Sequence, residues 1–189
     1  MVASPEQNYM SPQEYLEWEE RQEVKHEYIN GEVFAMTGGT IPHTTIALNL
    51  ASALKTQLRG GKCRTFMADA KLGVSENGPF HYPDVMVICH PQDKQAINFI
   101  QYPCLIVEVL SPSTEAYDRG GKFMQYRRIV TLQEYVLIDA SKVSLECFRL
   151  NEKGLWELHP YEAGEEVHLT SVDFSFPISL VYEDVQFAI

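Results

Sequence analysis

Two short apolar runs, Tyr82-Pro-Asp-Val-Met-Val-Ile-Cys89 and Cys104-Leu-Ile-Val-Glu-Val-Leu110, decide the fold of this chain. Each run is rich in β-branched residues and is bounded by Pro, Gly or Ser, which predicts two buried strands. Each strand carries one carboxylate, Asp84 at the start of the first and Glu108 inside the second. A buried carboxylate is costly unless it meets a cation or a hydrogen-bond partner. The two runs therefore predict a site as well as a pair of strands.

Glu108 is the sharper of the two signals because all its neighbours in the run are apolar. Alternation along a strand puts it on the same face as Ile106 and Leu110. An exposed edge strand, or a salt bridge to a buried basic residue, would also explain it. Asp84 follows a proline and could equally cap a backbone group in a turn. If the two carboxylates meet on adjacent strands, they suit Mg²⁺ or Mn²⁺, which prefer hard oxygen ligands.

Lys122 lies early in a predicted helix over 117–129, just after the Glu108 strand. One loop could return it to the two carboxylates, where an ammonium group can orient an attacking water or stabilise charge on a phosphate. The alternative is an ordinary surface lysine. Asp84, Glu108 and Lys122 together are the combination of side chains that a metal-dependent phosphodiesterase uses. Glu27 and His43 could line the same cleft, although a structural role is the favoured interpretation of each.

The N-terminal half carries clear local signals for helices and a hairpin. Ser11-Pro-Gln-Glu14 is a capping box that opens a short helix. Asn30-Gly31 predicts a tight hairpin within 27–36. Apolar residues at helical spacing predict a helix over 43–59, which Gly60-Gly61 terminates.

The order of elements along the chain predicts a mixed α/β domain. Strands are predicted at about 63–68, 71–75, 84–89, 105–110, 134–139 and 143–150, followed by short C-terminal strands. We expect a single domain over 1–189. Its parts are an N-terminal helix and hairpin (about 11–36), a core (about 43–140) and a C-terminal β extension (about 141–189).

Composition limits the class of protein. No apolar run is long enough to span a membrane and no signal pattern is present, so we expect a cytoplasmic protein without a membrane partner. The cysteines form no CxxC or Cys/His cluster, which argues against zinc, and most are predicted to be reduced core residues (Cys63, Cys89, Cys104, Cys147). No Walker loop, dinucleotide fingerprint or Gly-x-Ser-x-Gly elbow is present.

The charge balance argues against a protein that simply coats DNA. The 189 residues include 15 basic and 26 acidic ones, for a net charge of −11, whereas phosphate neutralisation is the main source of affinity for nucleic acid. Basic residues do cluster locally. If DNA is the substrate, the candidate phosphate contacts are Lys55, Arg59, Arg119, Arg127 and Arg128.

Several of these residues stand in an order that resembles a known family. The segments that carry the resemblance are Glu27-Tyr-Ile-Asn-Gly31, His43, Tyr82-Pro-Asp-Val85, Glu108-Val-Leu-Ser-Pro-Ser-Thr114, Asp118-Arg119, Lys122, Tyr126 and Glu134-Tyr-Val-Leu-Ile-Asp139. They look like the bacterial family of restriction-endonuclease-like proteins catalogued as domain of unknown function 820, in the PD-(D/E)XK nuclease superfamily. The resemblance covers about 11–184.

The resemblance implies a restriction-endonuclease-like core of the α/β (α+β) class, a mixed β-sheet flanked by helices. It also implies Asp84 and Glu108 as Mg²⁺ ligands and DNA as substrate, with a homodimer to cut both strands. The superfamily's lysine stands two residues after the second acid, where this chain has Leu110, so the catalytic role passes to Lys122. The alternative, which Leu110 and the acidic surface favour, is a catalytically inactive nuclease-fold binding or regulatory module. A nuclease for RNA or for branched or damaged DNA is a third possibility.

Overall fold

The computed structural model describes residues 9–36 and 38–187. Its helices are α1 (Pro12–Glu19) and α2 (Ile41–Gln57), followed by a helical segment made of α3 (Glu115–Tyr117), a π turn (Asp118–Lys122) and α4 (Phe123–Tyr126). Its strands are β1 (His26–Ile29), β2 (Glu32–Ala35), β3 (Arg64–Met67), β4 (Leu72–Gly73), β5 (Phe80–His81), β6 (Val85–Ile88), β7 (Pro103–Leu110), β8 (Glu134–Asp139), β9 (Ser144–Leu150), β10 (Trp156–Glu162), β11 (Glu166–Leu169) and β12 (Phe174–Pro177). Short 3₁₀ turns lie at Gln92–Gln95, Thr170–Val172 and Ile178–Leu180.

A six-stranded sheet with the order β10-β9-β8-β7-β6-β3 forms the centre of the fold. The central pair β7 and β8 is parallel and the other pairs are antiparallel, so the sheet is mixed. All eight residues of β7 are buried, because both faces of the sheet are covered. The predicted strand at 134–139 is confirmed at both ends, whereas the strand predicted at 71–75 is limited to β4.

Alternate residues of β7 pack against helices on opposite faces of the sheet. Val107 and Val109 pack in one cluster with Leu50 and Leu54 of α2. Ile106 and Leu110 pack in the other with Tyr126, Ile129 and Leu137. Burying such a side chain fully contributes about 1.5–3 kcal/mol. The predicted mixed sheet flanked by helices is confirmed, and the division of 1–189 as one domain stays a prediction.

A second sheet with the order β2-β1-β5-β4 carries the N-terminal hairpin. The predicted hairpin is confirmed, since Asn30 and Gly31 both have positive φ (51° and 99°), as a type I′ turn requires. The predicted capping box of α1 is also present, with Ser11 and Glu14 hydrogen bonded in both directions. Tyr15 of α1 stacks on Tyr28 and on Phe80, which fixes the helix to this sheet.

The helix predicted over 117–129 is interrupted by a π turn at Asp118–Lys122. A π turn widens the helix by one residue and often occurs at functional sites. Gly121 permits it here, because a β-carbon at this position would lie 2.3 Å from the ring of Tyr117. Asp118 and Lys122 in this turn are both buried and are paired with each other.

Buried Glu134 fastens the C-terminal segment to the central sheet. Its carboxylate accepts hydrogen bonds from the backbone N–H and hydroxyl groups of Thr170 and Ser171 and from the Arg149 guanidinium. Burial alone would raise the pKa of Glu134, but these donors hold it below its ordinary value. The segment after β10 therefore depends on an ionised carboxylate in β8.

The prediction of reduced cysteines is wrong for two of the four. Cys63 and Cys89 form a disulfide. Strands β3 and β6 are antiparallel with Arg64 opposite Ile88, so the residues one step further along face each other. Cys104 and Cys147 are free and buried, as predicted. No helix among the described residues is long and apolar enough to cross a membrane.

Candidate active site

Asp84 and Glu108 face each other across neighbouring strands. Val85 of β6 is paired with Val107 of β7, and continuing this antiparallel register by one residue sets Asp84 opposite Glu108. Such cross-strand neighbours have β-carbons about 4.5–5.5 Å apart. The Asp84 carboxylate also accepts a 2.7 Å hydrogen bond from the backbone N–H of Val109. The structure therefore brings the two predicted metal ligands together.

Lys122 reaches the same place from the π turn. Its Nζ lies 3.2 Å from Glu108 Oε1, 3.2 Å from Asp118 Oδ1 and 3.3 Å from Glu27 Oε1. Only 8% of the residue is exposed. The three surrounding carboxylates raise the pKa of Lys122 well above its ordinary value despite burial. The side chain is therefore a fixed, buried ammonium group and not a surface lysine.

Glu108 lies among the other carboxylates of this cluster. It is 3% exposed, and the Tyr126 hydroxyl donates a 2.9 Å hydrogen bond to its Oε1. Burial raises the pKa of Glu108 to about 8, and nearby Asp84, Asp118 and Glu27 add to the rise while Lys122 opposes it. One ammonium cannot balance this many carboxylates, so the site takes up a proton at Glu108 or needs a further cation.

Glu27 is held by a histidine that sequence reasoning missed. Tyr28 is paired with Phe80, so Glu27 lies opposite His81 across β1 and β5. His81 is 0% exposed; its Nδ1 lies 3.3 Å from Glu27 Oε2 and its Nε2 lies 2.6 Å from Gln125 Oε1. Burial would raise the pKa of Glu27, but the hydrogen bond to His81 and the charge of Lys122 lower it to about 2.

His43 contacts Asp84 and not the lysine. It lies in the first turn of α2, with Thr40 as the N-cap. Its Nε2 is 3.2 Å from Asp84 Oδ2. This hydrogen bond raises the pKa of His43 above its ordinary value, although burial opposes the rise. His43 thus fixes the orientation of the Asp84 carboxylate.

Four of the five predicted site residues, all except Glu27, line one cleft of about 550 Å³. Glu27 lines a neighbouring cleft of about 330 Å³, and Lys122 lines both. Sequence reasoning also missed Tyr126 as a partner of Glu108. The spacing of four residues between Asp118 and Lys122 on a helix does favour the pairing that the structure shows.

The candidate phosphate contacts lie elsewhere. The cleft of about 550 Å³, called the main cleft below, is lined by none of the five candidates (Lys55, Arg59, Arg119, Arg127 and Arg128). Arg119 is instead paired with Glu115 and Glu146 on the surface. Among the described residues, the basic side chains that line the cleft are Lys25, His43 and Lys122, and the acidic ones are Asp69, Asp84, Glu108 and Asp118. The cleft itself is therefore not basic.

The carboxylates fit a magnesium site of the open kind. Within 9–36 and 38–187, no three side chains of His, Cys, Asp or Glu form a ready-made metal cage. Mg²⁺ does not require one, because it keeps several waters and is usually bound by one or two carboxylates together with substrate phosphate. Asp84 and Glu108 could supply two such oxygen ligands, and the carboxylates around Glu108, which outnumber the Lys122 ammonium, would favour a cation.

Comparisons with known proteins agree with this fold. A solved structure from Anabaena variabilis ATCC 29413, described as a "putative nuclease belonging to DUF820", superposes with a TM-score of 0.76 over 92% of this chain and 98% of that chain. The two are 17% identical, so this similarity shows the fold alone.

Two relatives come from Synechocystis sp. The uncharacterized protein slr1290 is 42% identical over 178 residues, 94% of each chain. The uncharacterized protein sll1609 is 38% identical over 129 residues, 67% of this chain and 72% of its own. The model of the Uma2 family, described as "Putative restriction endonuclease", matches residues 12–179. This chain therefore belongs to the Uma2 family, whose description supports a nuclease-like role.

Proposed function

We propose that this chain is a Mg²⁺- or Mn²⁺-dependent endonuclease that hydrolyses phosphodiester bonds, with DNA as the substrate. The observation that carries the proposal is the convergence of Asp84, Glu108 and Lys122 at one end of the β6–β7 pair, with Lys122 Nζ 3.2 Å from Glu108. Membership of the family supports the nuclease class. The metal, the substrate and the residue roles are our proposal.

Each side chain has a distinct task in this proposal. Asp84 and Glu108 would hold the divalent ion, which would polarise the scissile phosphate and lower the pKa of a bound water. Lys122 would orient that water or stabilise the charge that develops on the phosphoryl oxygens. Glu27 and Asp118 hold the Lys122 ammonium in place, and His43 holds Asp84.

The acidic cleft makes the cation part of substrate binding as well as of chemistry. A phosphate would approach Asp69, Asp84, Glu108 and Asp118, which repel it in the absence of a divalent ion.

Cutting both strands of a duplex would further require a homodimer, which light scattering tests. We keep a cytoplasmic location as an expectation. The Cys63–Cys89 disulfide weighs against it, because disulfides are rare in reducing compartments.

A non-catalytic nucleic-acid-binding module is the second candidate. Leu110 at the superfamily's lysine position and the shortage of basic groups in the cleft favour it. Binding of nucleic acid without cleavage in Mg²⁺ or Mn²⁺ would support this candidate.

The deciding experiment is a cleavage assay on end-labelled single-stranded DNA, duplex DNA and RNA in Mg²⁺, Mn²⁺, Ca²⁺ or EDTA. We expect Mg²⁺- or Mn²⁺-dependent cleavage of DNA that Asp84→Asn or Glu108→Gln lowers at least about 100-fold, a size typical for loss of a group that stabilises the transition state. Asp69→Asn is the matched control, because Asp69 lines the same cleft but its side chain is largely exposed. Full activity in either ligand variant would overturn the proposal.

A further inference from the structure

A second cleft of about 330 Å³ opens beside Lys122, and Asp84 is not among its lining residues. It lies between the β1–β2 hairpin and the start of the helical segment, and its walls are Glu27, Ile29, Phe34, Ala35, Met36, Thr114, Tyr117 and Lys122. Met36, Thr114 and Lys122 also line the main cleft. The two clefts therefore adjoin, and a bound molecule could extend from one into the other.

The lining of the second cleft is largely apolar and aromatic, and Glu27 and Lys122 are its charged residues. Phe34 and Tyr117 contribute rings, and Ile29 and Met36 contribute aliphatic surface. Phe34 is 47% exposed on β2, which is the outer strand of its sheet. A small, largely apolar pocket with a few polar groups is the usual form of a ligand site. A partly exposed phenyl ring in the lining is suited to a flat, aromatic ligand.

The charge of the main cleft indicates which aromatic ligand this is. Neutralisation of phosphates provides little affinity here, because the cleft has few basic groups and several acidic ones. Stacking of bases on aromatic side chains is the other general source of affinity for a nucleic-acid strand, and it is insensitive to sequence. Because the two clefts share Met36, Thr114 and Lys122, a strand with its phosphodiester at Asp84 and Glu108 could place a neighbouring base in the second cleft.

We propose that the cleft of Phe34 and Tyr117 takes a nucleobase of the substrate strand, next to the phosphodiester at Asp84 and Glu108. This inference rests on the proposed function. A base paired inside a duplex cannot enter the cleft, so the substrate class is a single strand, or a duplex with an unpaired or extruded base.

The test compares two fluorescein-labelled single-stranded DNA oligonucleotides of equal length, one with normal bases and one with abasic residues. Their affinities are measured by fluorescence anisotropy in Ca²⁺ and in EDTA. Wild type should bind the normal strand about tenfold more tightly than the abasic strand. Phe34→Ala should remove this difference. Leu158→Ala, at a similarly exposed position (51%) on β10 at the far edge of the large sheet, should retain it.

The outcomes separate this inference from the proposed function. Equal, Ca²⁺-dependent affinity for the two strands overturns the base pocket and leaves the metal site intact. If wild type prefers the normal strand and binds it equally well with and without Ca²⁺, the result supports the pocket and counts against the metal site. No binding of either strand by wild type overturns the pocket. Dimerisation that Phe34→Ala abolishes, with unchanged affinity for DNA, assigns the cleft to a second copy of the chain and also overturns it.

Discussion

Replacement of Glu108 by glutamine should stabilise the metal-free protein, although it removes a buried partner of Lys122. Burial and the neighbouring carboxylates raise the pKa of Glu108 from 4.5 to about 8. At pH 7 this side chain is therefore protonated in the folded state and ionised in the unfolded state. Folding must take up a proton, which costs about 1.4 kcal/mol for each pH unit above 4.5, or about 3 kcal/mol at pH 7.

The sign of the pH dependence follows from the raised pKa. The contribution of Glu108 to stability is fully present below pH 4.5 and is lost as the pH rises through about 8. Glutamine has nearly the shape of the protonated acid and does not titrate. The variant should therefore exceed wild type by about 3 kcal/mol at pH 7 and by less than about 1 kcal/mol at pH 5. For a chain of this size, 3 kcal/mol raises Tm by about 6–12 °C.

Urea unfolding in EDTA at pH 5 and pH 7 measures the difference. Glu166→Gln is the matched control, because Glu166 undergoes the same chemical change at an exposed position of β11. Adding Mn²⁺ should stabilise wild type and leave Glu108→Gln unchanged. If the variant is less stable than wild type at pH 7, or if the difference is the same at both pH values, Glu108 is an ordinary ionised partner of Lys122 and the reasoning is wrong.

Three further predictions concern other parts of the fold. Lys122→Met should lower the free energy of unfolding by about 3–5 kcal/mol, because its carboxylate partners stay buried without a cation; a loss below about 1 kcal/mol in urea unfolding would contradict the buried cluster. Glu134→Gln should lower the free energy of unfolding by about 2 kcal/mol at pH 7 and by clearly less at pH 3. The lowered pKa of Glu134 means that its ionised form stabilises the fold above the ordinary pKa, and this stabilisation is lost as the pH falls. Equal losses at the two pH values would argue against an ionised Glu134. In Cys63→Ser, Cys89 should pair with Cys104, whose Sγ lies 3.4 Å away, when glutathione disulfide is added; two free thiols by peptide mass spectrometry would refute this.

The elements that sequence patterns predicted well are those that depend on near neighbours. The capping box of Ser11 and Glu14 and the Asn30-Gly31 turn are decided within four residues. The strand at Glu134–Asp139 carries its own apolar pattern between polar ends. Alternation within β7 also predicted the face that Glu108 shares with Ile106.

The features that sequence patterns missed depend on which strands pair. His81 meets Glu27 only because β5 inserts next to β1, and a separation of 54 residues gives no local sign of it. The disulfide likewise follows from the β3–β6 register. The π turn at Asp118–Lys122 adds one residue to a helical turn, and helical spacing alone could not predict it.

The central claim is that Asp84 and Glu108 form a divalent-metal site, and titration calorimetry with Mn²⁺ tests it most directly. Wild type and the control Asp69→Asn should each bind one equivalent of Mn²⁺, and the Asp84→Asn, Glu108→Gln double variant should bind none. Because a site of this kind can need substrate phosphate as a further ligand, the titration is repeated with a single-stranded oligonucleotide present. Absence of binding by wild type under both conditions, or undiminished binding by the double variant, would contradict the claim.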